Sequence, residues 1–209
     1  GGVGPGLSKT EKAVELGLIF LARHHGDDGR WSLHGYATGK PYQDEMDEDV
    51  VLHSDTAATG LSLMAFLGAG YHHQSGKYRE VVERGLEFLI HNQQDNGDLY
   101  LPEDERSNLS SALYSHAIAT MAICEAYGMT WDPDLEKPAQ LAIEYAVESQ
   151  HKERGGWRYR PQIGSDTSVT GWMMMALHSG RLAGLQVPQE SFERIHKWIR
   201  LAQGGTKGS

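Results

Sequence analysis

Three stretches of helical length carry no charged side chain: Thr56 to Gly70, Ser110 to Cys124 and Thr167 to Gly180. Segments charged on one face lie before, between and after them. A helix that is apolar or small-sided all round is buried all round, whereas one with a single wet face lies at a surface. Two packed layers satisfy both demands, with charged helices outside and uncharged helices inside. The chain therefore reads as all-α, with about seven main helices in the order outer, inner, outer, inner, outer, inner, outer. A solenoid of helix pairs also alternates and has a similar repeat length. It usually leaves both helices of a pair partly wet, so three uncharged helices favour concentric inner and outer rows.

Local signals set the expected helix ends. Ser8 with Glu11 forms a capping-box pattern for a first helix running to His25. The second spans Ser54 to Gly70 and the third Lys77 to Gln93. Asn108 or Ser110 caps a fourth that ends near Tyr127-Gly128. Pro133 and Pro138 open the fifth, which ends near Gln150. Ser165 or Asp166 opens the sixth, and Pro188 a seventh that runs to about Gln203. Residues 8–203 then form one helical domain. Residues 1–7 read as a flexible linker or an appended remnant, and 204–209 as a flexible tail. Trp31 to Asp49 reads as a long irregular loop with an acidic run, Asp44 to Asp49, that is a calcium candidate only in its carboxylate content.

Composition removes several functional classes. The net charge is −9 with no cluster of Lys and Arg, so nucleic acid is not an expected partner. The uncharged runs fall short of the ~20 residues of a membrane span. One cysteine, Cys124, excludes an internal disulfide and a Cys-rich zinc site and leaves the compartment open.

Two kinds of repeat run along the chain. Ser54-Asp55-Thr56-Ala57-Ala58-Thr59-Gly60 shares five of seven residues with Ser165-Asp166-Thr167-Ser168-Val169-Thr170-Gly171, and each copy opens an uncharged run. The charged helices share an ending. Phe88-Leu89, Gln93 and Gly97 form the clearest copy, with Leu99 in the final position. The first helix offers Phe20-Leu21, His25, Gly29 and Trp31. The fifth offers Tyr145-Ala146, Gln150, Gly155 and Trp157, with one extra residue before its glycine. The last stops at Trp198-Ile199 and Gln203. This pattern resembles the QW repeat of squalene-hopene and related triterpene cyclases, shared more loosely with protein prenyltransferase β subunits. The resemblance covers about Lys9 to Gln203. It implies an α/α toroid. A complete toroid of that family has about twice as many helices, so the ring here is expected to be partial or open. The repeat residues Gln93, Gln150, Trp31 and Trp157 are expected to be structural. A glutamine at a helix C-terminus can bond unpaired carbonyls there, and the tryptophan can stack beneath its amide.

The same resemblance tests for chemistry. Its cyclases protonate substrate with an Asp-x-Asp-Asp-Thr-Ala motif. Here the donor position falls on Ser54, and only Asp55 is kept. Gly164-Ser165-Asp166-Thr167 has the same defect. An aspartate at a helix N-terminus is held ionised by the dipole, and Ser and Asp there are common caps. The prenyltransferase branch holds zinc through an Asp-x-Cys pair, but Ala122-Ile123 precedes Cys124. No metal and no cofactor are therefore expected. The catalytic candidates that remain are Asp55, Asp166 and His116, the last inside the middle uncharged helix. Ser54, Thr59 and Thr170, with Trp172 and Met175, are candidates to line a barrel mouth or an apolar lumen. The expected function is a binding or interaction domain, taking an apolar or isoprenoid-like ligand or a protein partner that closes the toroid. The alternative is an isoprenoid cyclase or transferase of the same fold whose site is completed by helices outside this segment.

Overall fold

The computed structural model describes residues 8–33 and 52–204. The expected linker, most of the tail and the Asp44 to Asp49 run lie outside the described residues. The fold is all-α. Eight helices occur among the described residues: α1 (Lys9–Arg23), α2 (Asp55–Gly68), α3 (Arg79–His91), α4 (Glu105–Ser110), α5 (Ala112–Thr130), α6 (Pro133–Glu148), α7 (Thr167–Leu182) and α8 (Gln189–Gln203). Helix α1 starts at the expected capping box: Ser8 accepts from the Glu11 N–H, and Glu11 reaches back to the Ser8 N–H.

The eighth element, α4, replaces the expected cap of the fourth helix. Asp104 caps α4 by accepting from the Ser107 N–H at 2.9 Å. Asn108 does not cap a helix. Its side chain accepts from Tyr100 Oη at 2.8 Å and from the Glu103 N–H at 3.2 Å. Ser110, Ser111 and Ser115 each donate to the carbonyl four residues back. Such back-bonding bends helices, and the break between α4 and α5 falls inside this run. Helix α5 continues past Gly128, which lies against Ala183 at the end of α7, and it ends at Trp131 in the left-handed region.

Helices α2, α5 and α7 form the inner row. Helix α5 packs extensively against both neighbours. No packing comparable to this joins α2 to α7 among the described residues. Outside this row, α1 and α3 lie on α2, α6 lies on α5 and α7, and α8 lies on α7. Helix α5 buries twelve of its residues, including Leu113, Ala117, Ile123 and Cys124, which explains its lack of charge.

One junction recurs along the outer row. Gly29, Gly97 and Gly155 follow α1, α3 and α6 with φ of 87°, 91° and 84°. A Cβ on each would overlap the carbonyl oxygen of Arg84, Leu141 and Arg194 respectively, on the next outer helix. Glycine is required twice over, by the backbone conformation and by the approach. Gln93 donates to the Gly97 carbonyl at 3.2 Å and to Pro138 of α6 at 3.0 Å. Gln150 donates to Gly155 at 2.9 Å and to Ser191 of α8 at 3.0 Å. The glutamines thus tie the turn to the next outer helix. The tryptophans take the helix-end carbonyls: Trp31 Nε1 donates to Leu21 and Trp157 Nε1 to Ala146, at 2.9 and 2.8 Å.

Substituting Gly97→Ala tests the junction. A left-handed alanine costs about 1–2 kcal/mol, and overpacking against the Leu141 carbonyl adds about 1–3 kcal/mol. Gly171→Ala is the control, since its Cβ would enter open space within α7; it should raise stability by about 0.5–1 kcal/mol. Urea unfolding of the two variants is expected to move in opposite directions.

Candidate functional site

Each junction hands its final residue to an inner helix. Thr59 of α2 accepts from the Trp31 N–H at 2.9 Å and donates to the Trp31 carbonyl at 3.4 Å. Thr170 of α7 treats Trp157 the same way, at 3.0 and 3.3 Å. Both threonines are buried and engaged with backbone. In the middle copy His116 of α5 takes this place, accepting from the Leu99 N–H at Nδ1, 3.1 Å away. Because that nitrogen accepts, the proton lies on Nε2, which faces the Ala142 carbonyl at 3.1 Å and Thr120 Oγ1 at 3.2 Å. Asp98 Oδ1 lies 3.3 Å from the same Nδ1, but a nitrogen accepting an N–H is uncharged, so this contact is not an ion pair. His116 is fully buried and joins α5 to α6 and to the turn after α3.

The twin motifs take different roles. Asp166 caps α7, accepting from the Val169 N–H at 3.0 Å, and Ser165 Oγ accepts from Gly156 N–H at 3.0 Å. In the first copy the cap is Ser54, whose Oγ accepts from Ala57 N–H at 3.1 Å and lies 2.7 Å from Ser115 Oγ. Asp55 then begins the helix. Its buried carboxylate meets the Arg30 guanidinium at 3.1 Å, and Arg30 also pairs with Asp28. Asp55, Asp166 and His116 stand on three different inner helices, and each is engaged by its own local partners.

Two charged residues that the repeat pattern does not mark complete the cluster around Asp55. Arg30 is one. The other is Glu103, whose Oε1 accepts from the Asp55 N–H at 2.5 Å. Burial pushes the Glu103 carboxyl up to about 7. The Asp55 and Asp104 carboxylates push the same way, while the Asp55 N–H and Arg30 oppose it. Asp104 is held low mainly by the Ser107 N–H and hydroxyl, and it pairs with His53 Nδ1 at 3.2 Å. No spacing rule places Glu103 beside a residue 48 positions earlier. Its only sequence signal is membership of the acidic stretch Glu103-Asp104-Glu105.

Among the described residues, no group of three or more His, Cys, Asp or Glu side chains could hold a metal ion. No helix there is long and apolar enough to cross a membrane. Compared with protein-family models, with curated proteins and with solved structures, the chain matches none.

The Glu103 carboxyl makes a signed prediction. Its folded pKa lies above the ordinary carboxylate range, so its contribution is fully present at low pH and is lost as pH rises through about 7. Glu103→Gln keeps an acceptor for the Asp55 N–H and removes the charge. Relative to the parent chain it should gain little stability near pH 4.5. The gain should grow to about 1 kcal/mol by pH 8, after discounting for partial exposure. Urea midpoints measured across that range check the sign.

Proposed function

We propose that the chain is a non-catalytic binding domain of the α/α-toroid kind that terpenoid cyclases and prenyltransferase β subunits share. Its inner row takes an apolar, isoprenoid-like ligand on the face turned away from the outer helices. The observation that carries this reading is the make-up of that face. Helical periodicity puts Met64 and Ala65 of α2, Tyr114, Met121, Glu125 and Met129 of α5, and Gly171, Met175, His178 and Leu182 of α7 on it. Met129, Met175, His178 and Leu182 are exposed. Glu125 is the one charged side chain among these positions, and it accepts from Ser179 Oγ at 2.6 Å. Unbranched methionines adapt to irregular apolar shapes, which suits a flexible polyprenyl chain. Trp172 lies beside Met175 at the edge of this face.

The engaged state of Thr59, Thr170 and His116 supports a non-catalytic role, since none is free to act on a ligand. A second reading, an enzyme of the same fold completed by helices outside this segment, has one observation in its favour. Glu103 is a carboxyl held near neutrality beside Asp55, the kind of environment that lets a carboxylic acid donate a proton.

Titration with farnesol, followed by tryptophan fluorescence, is expected to give a saturable change. The pair Met121→Lys and Met175→Glu should abolish it while leaving the far-ultraviolet circular dichroism intact. An unsaturable response, or one the pair does not alter, rejects the binding site. Incubation with squalene and with prenyl diphosphates separates the two readings, because any cyclised or transferred product sinks the non-catalytic one.

A further inference from the structure

The outer helices share a register set by the aromatic–aliphatic pairs Phe20-Leu21, Phe88-Leu89 and Tyr145-Ala146. Five residues before these pairs stand Glu15, Glu83 and Gln140. In the first and third junctions this side chain is tied to the chain just ahead of the next outer helix. Glu15 pairs with Lys77 and accepts from Tyr78 Oη at 3.0 Å, ahead of α3. Gln140 accepts from the Gln186 N–H at 2.9 Å and donates to the Gln186 carbonyl at 3.2 Å, ahead of α8. The middle junction has no such tie. The residue in register with Lys77 is Asp134, and the one in register with Tyr78 is Leu135. Among the described residues Glu83 meets no cation across the junction; it pairs with Arg79 of its own helix at 3.4 Å.

At this place a groove of about 450 Å³ runs between α3 and α6. Leu86, Ile90 and Leu135 give it an apolar lining, and Glu83, Glu87, Asp132 and Asp134 bring carboxylates from both sides. Among the described residues neither Glu87 nor Asp134 has a cationic partner. His73 also lines the groove, with its side chain 10% exposed. Its Nε2 lies 2.7 Å from Asp132 Oδ2, and its buried Nδ1 has no hydrogen-bond partner. In a neutral ring that donates from Nε2, Nδ1 is an acceptor lacking a donor. The carboxylates are not grouped as a metal ion requires. Acids on either side of an apolar lining suit a positive charge carried on an aliphatic stem, and a lysine side chain combines the two. Lys77 shows the arrangement within this chain: its ammonium meets Glu15 and lies over the Tyr78 ring, 4.8 Å from the centroid.

We propose that the groove between α3 and α6 takes a lysine side chain from a basic segment of a partner protein. The stem lies on Leu86, Ile90 and Leu135, and the ammonium sits among Glu83, Glu87 and Asp134, the place that Lys77 holds in the first junction. The surroundings favour a chain segment over a free amine. The acidic row continues along α3 past the groove to exposed Glu80, and the net charge of −9 favours a basic partner. The contact uses no residue of the inner face and does not depend on what that face binds.

Fluorescein-labelled pentalysine, followed by anisotropy at about 0.15 M salt, is expected to bind the chain saturably. Glu83→Gln combined with Glu87→Gln should weaken binding about tenfold. Asp134→Lys, which supplies the groove with an ammonium of the chain's own, should abolish it. Glu190→Gln combined with Glu193→Gln removes the same charge from exposed positions of α8 and should leave binding unchanged. Circular dichroism checks that each variant keeps its helices. Pentalysine acetylated on every side chain should not bind. Absence of saturable binding overturns the proposal, as does an equal loss in the α8 pair or binding of the acetylated peptide. Displacement of pentalysine by an equal concentration of cadaverine overturns the assignment to a partner segment.

Discussion

The structure depends on the approach of a glycine turn to the backbone of the next outer helix. Gly29, Gly97 and Gly155 all adopt positive φ and all press against a carbonyl. Backbone-to-backbone contact fixes the separation of neighbouring outer helices more tightly than side-chain packing would, because no rotamer can relax it. The glutamine in the second and third copies then pins the next helix along its axis with a hydrogen bond to one carbonyl. The first copy lacks that tie. His25 Nδ1 faces the Gly26 carbonyl at 2.8 Å, and the ring packs on Trp31 instead. Helix α1 is correspondingly the outer helix with a single buried residue, Leu18.

Position in the outer row is transmitted inward by hydrogen bonds to backbone. Thr59 and Thr170 each satisfy the N–H and the carbonyl of a buried tryptophan, so their hydroxyls replace a strand or helix partner that the turn cannot supply. In the middle copy the residue presented is Leu99, and its two backbone groups go to different helices. His116 of α5 accepts its N–H, and Thr56 of α2 donates to its carbonyl at 3.2 Å. The second turn is thus clamped between two inner helices. The wider imidazole also reaches Ala142 on α6, which a threonine at this place could not do. A histidine in an uncharged helix is here a bridge between layers.

The helical class and most element ends are legible in the sequence because they follow from local chemistry. Absence of charge over Ser110 to Cys124 already marks the most buried helix, and Ser8, Asp166 and Pro133 mark starts through capping rules that act within four residues. The extra short helix α4 is not legible, since Asp104, Asn108 and Ser110 all qualify as caps. What favours Asp104 lies beyond the four-residue reach of the capping rules: Tyr100 and the Glu103 N–H, eight and five residues back, occupy the Asn108 side chain. The recurrence of Gln and Trp is visible as spacing, but their division of labour is not. The amide reaches forward to the next helix and the indole reaches back to the one just ended, and only the path of the chain decides which.

The same distinction governs the chemistry around the twin motif. Asp55 and Asp166 both stand in a Ser-Asp-Thr triplet, yet one is a buried ion-pair partner and the other a cap. The difference lies in the residue before each tryptophan. Arg30 precedes Trp31 and draws Asp55 into a pair. Gly156 precedes Trp157 and has no side chain; a Cβ there would meet Thr170 Oγ1 at 2.5 Å. With no cation presented, Asp166 turns to the helix N–H groups. Pairing Asp55 with Arg30 then has a further consequence. Glu103 brings a third carboxyl close to a guanidinium already shared with Asp28 and Asp55. One cation in a partly buried cluster cannot offset three carboxylates, and the least costly remedy is to keep one of them protonated. Desolvation selects Glu103, because Asp55 is held by a direct ion pair and Asp28 is half exposed. The raised pKa of Glu103 beside α2 is therefore mainly a product of its burial, with Asp55 and Asp104 adding to it and Arg30 opposing it.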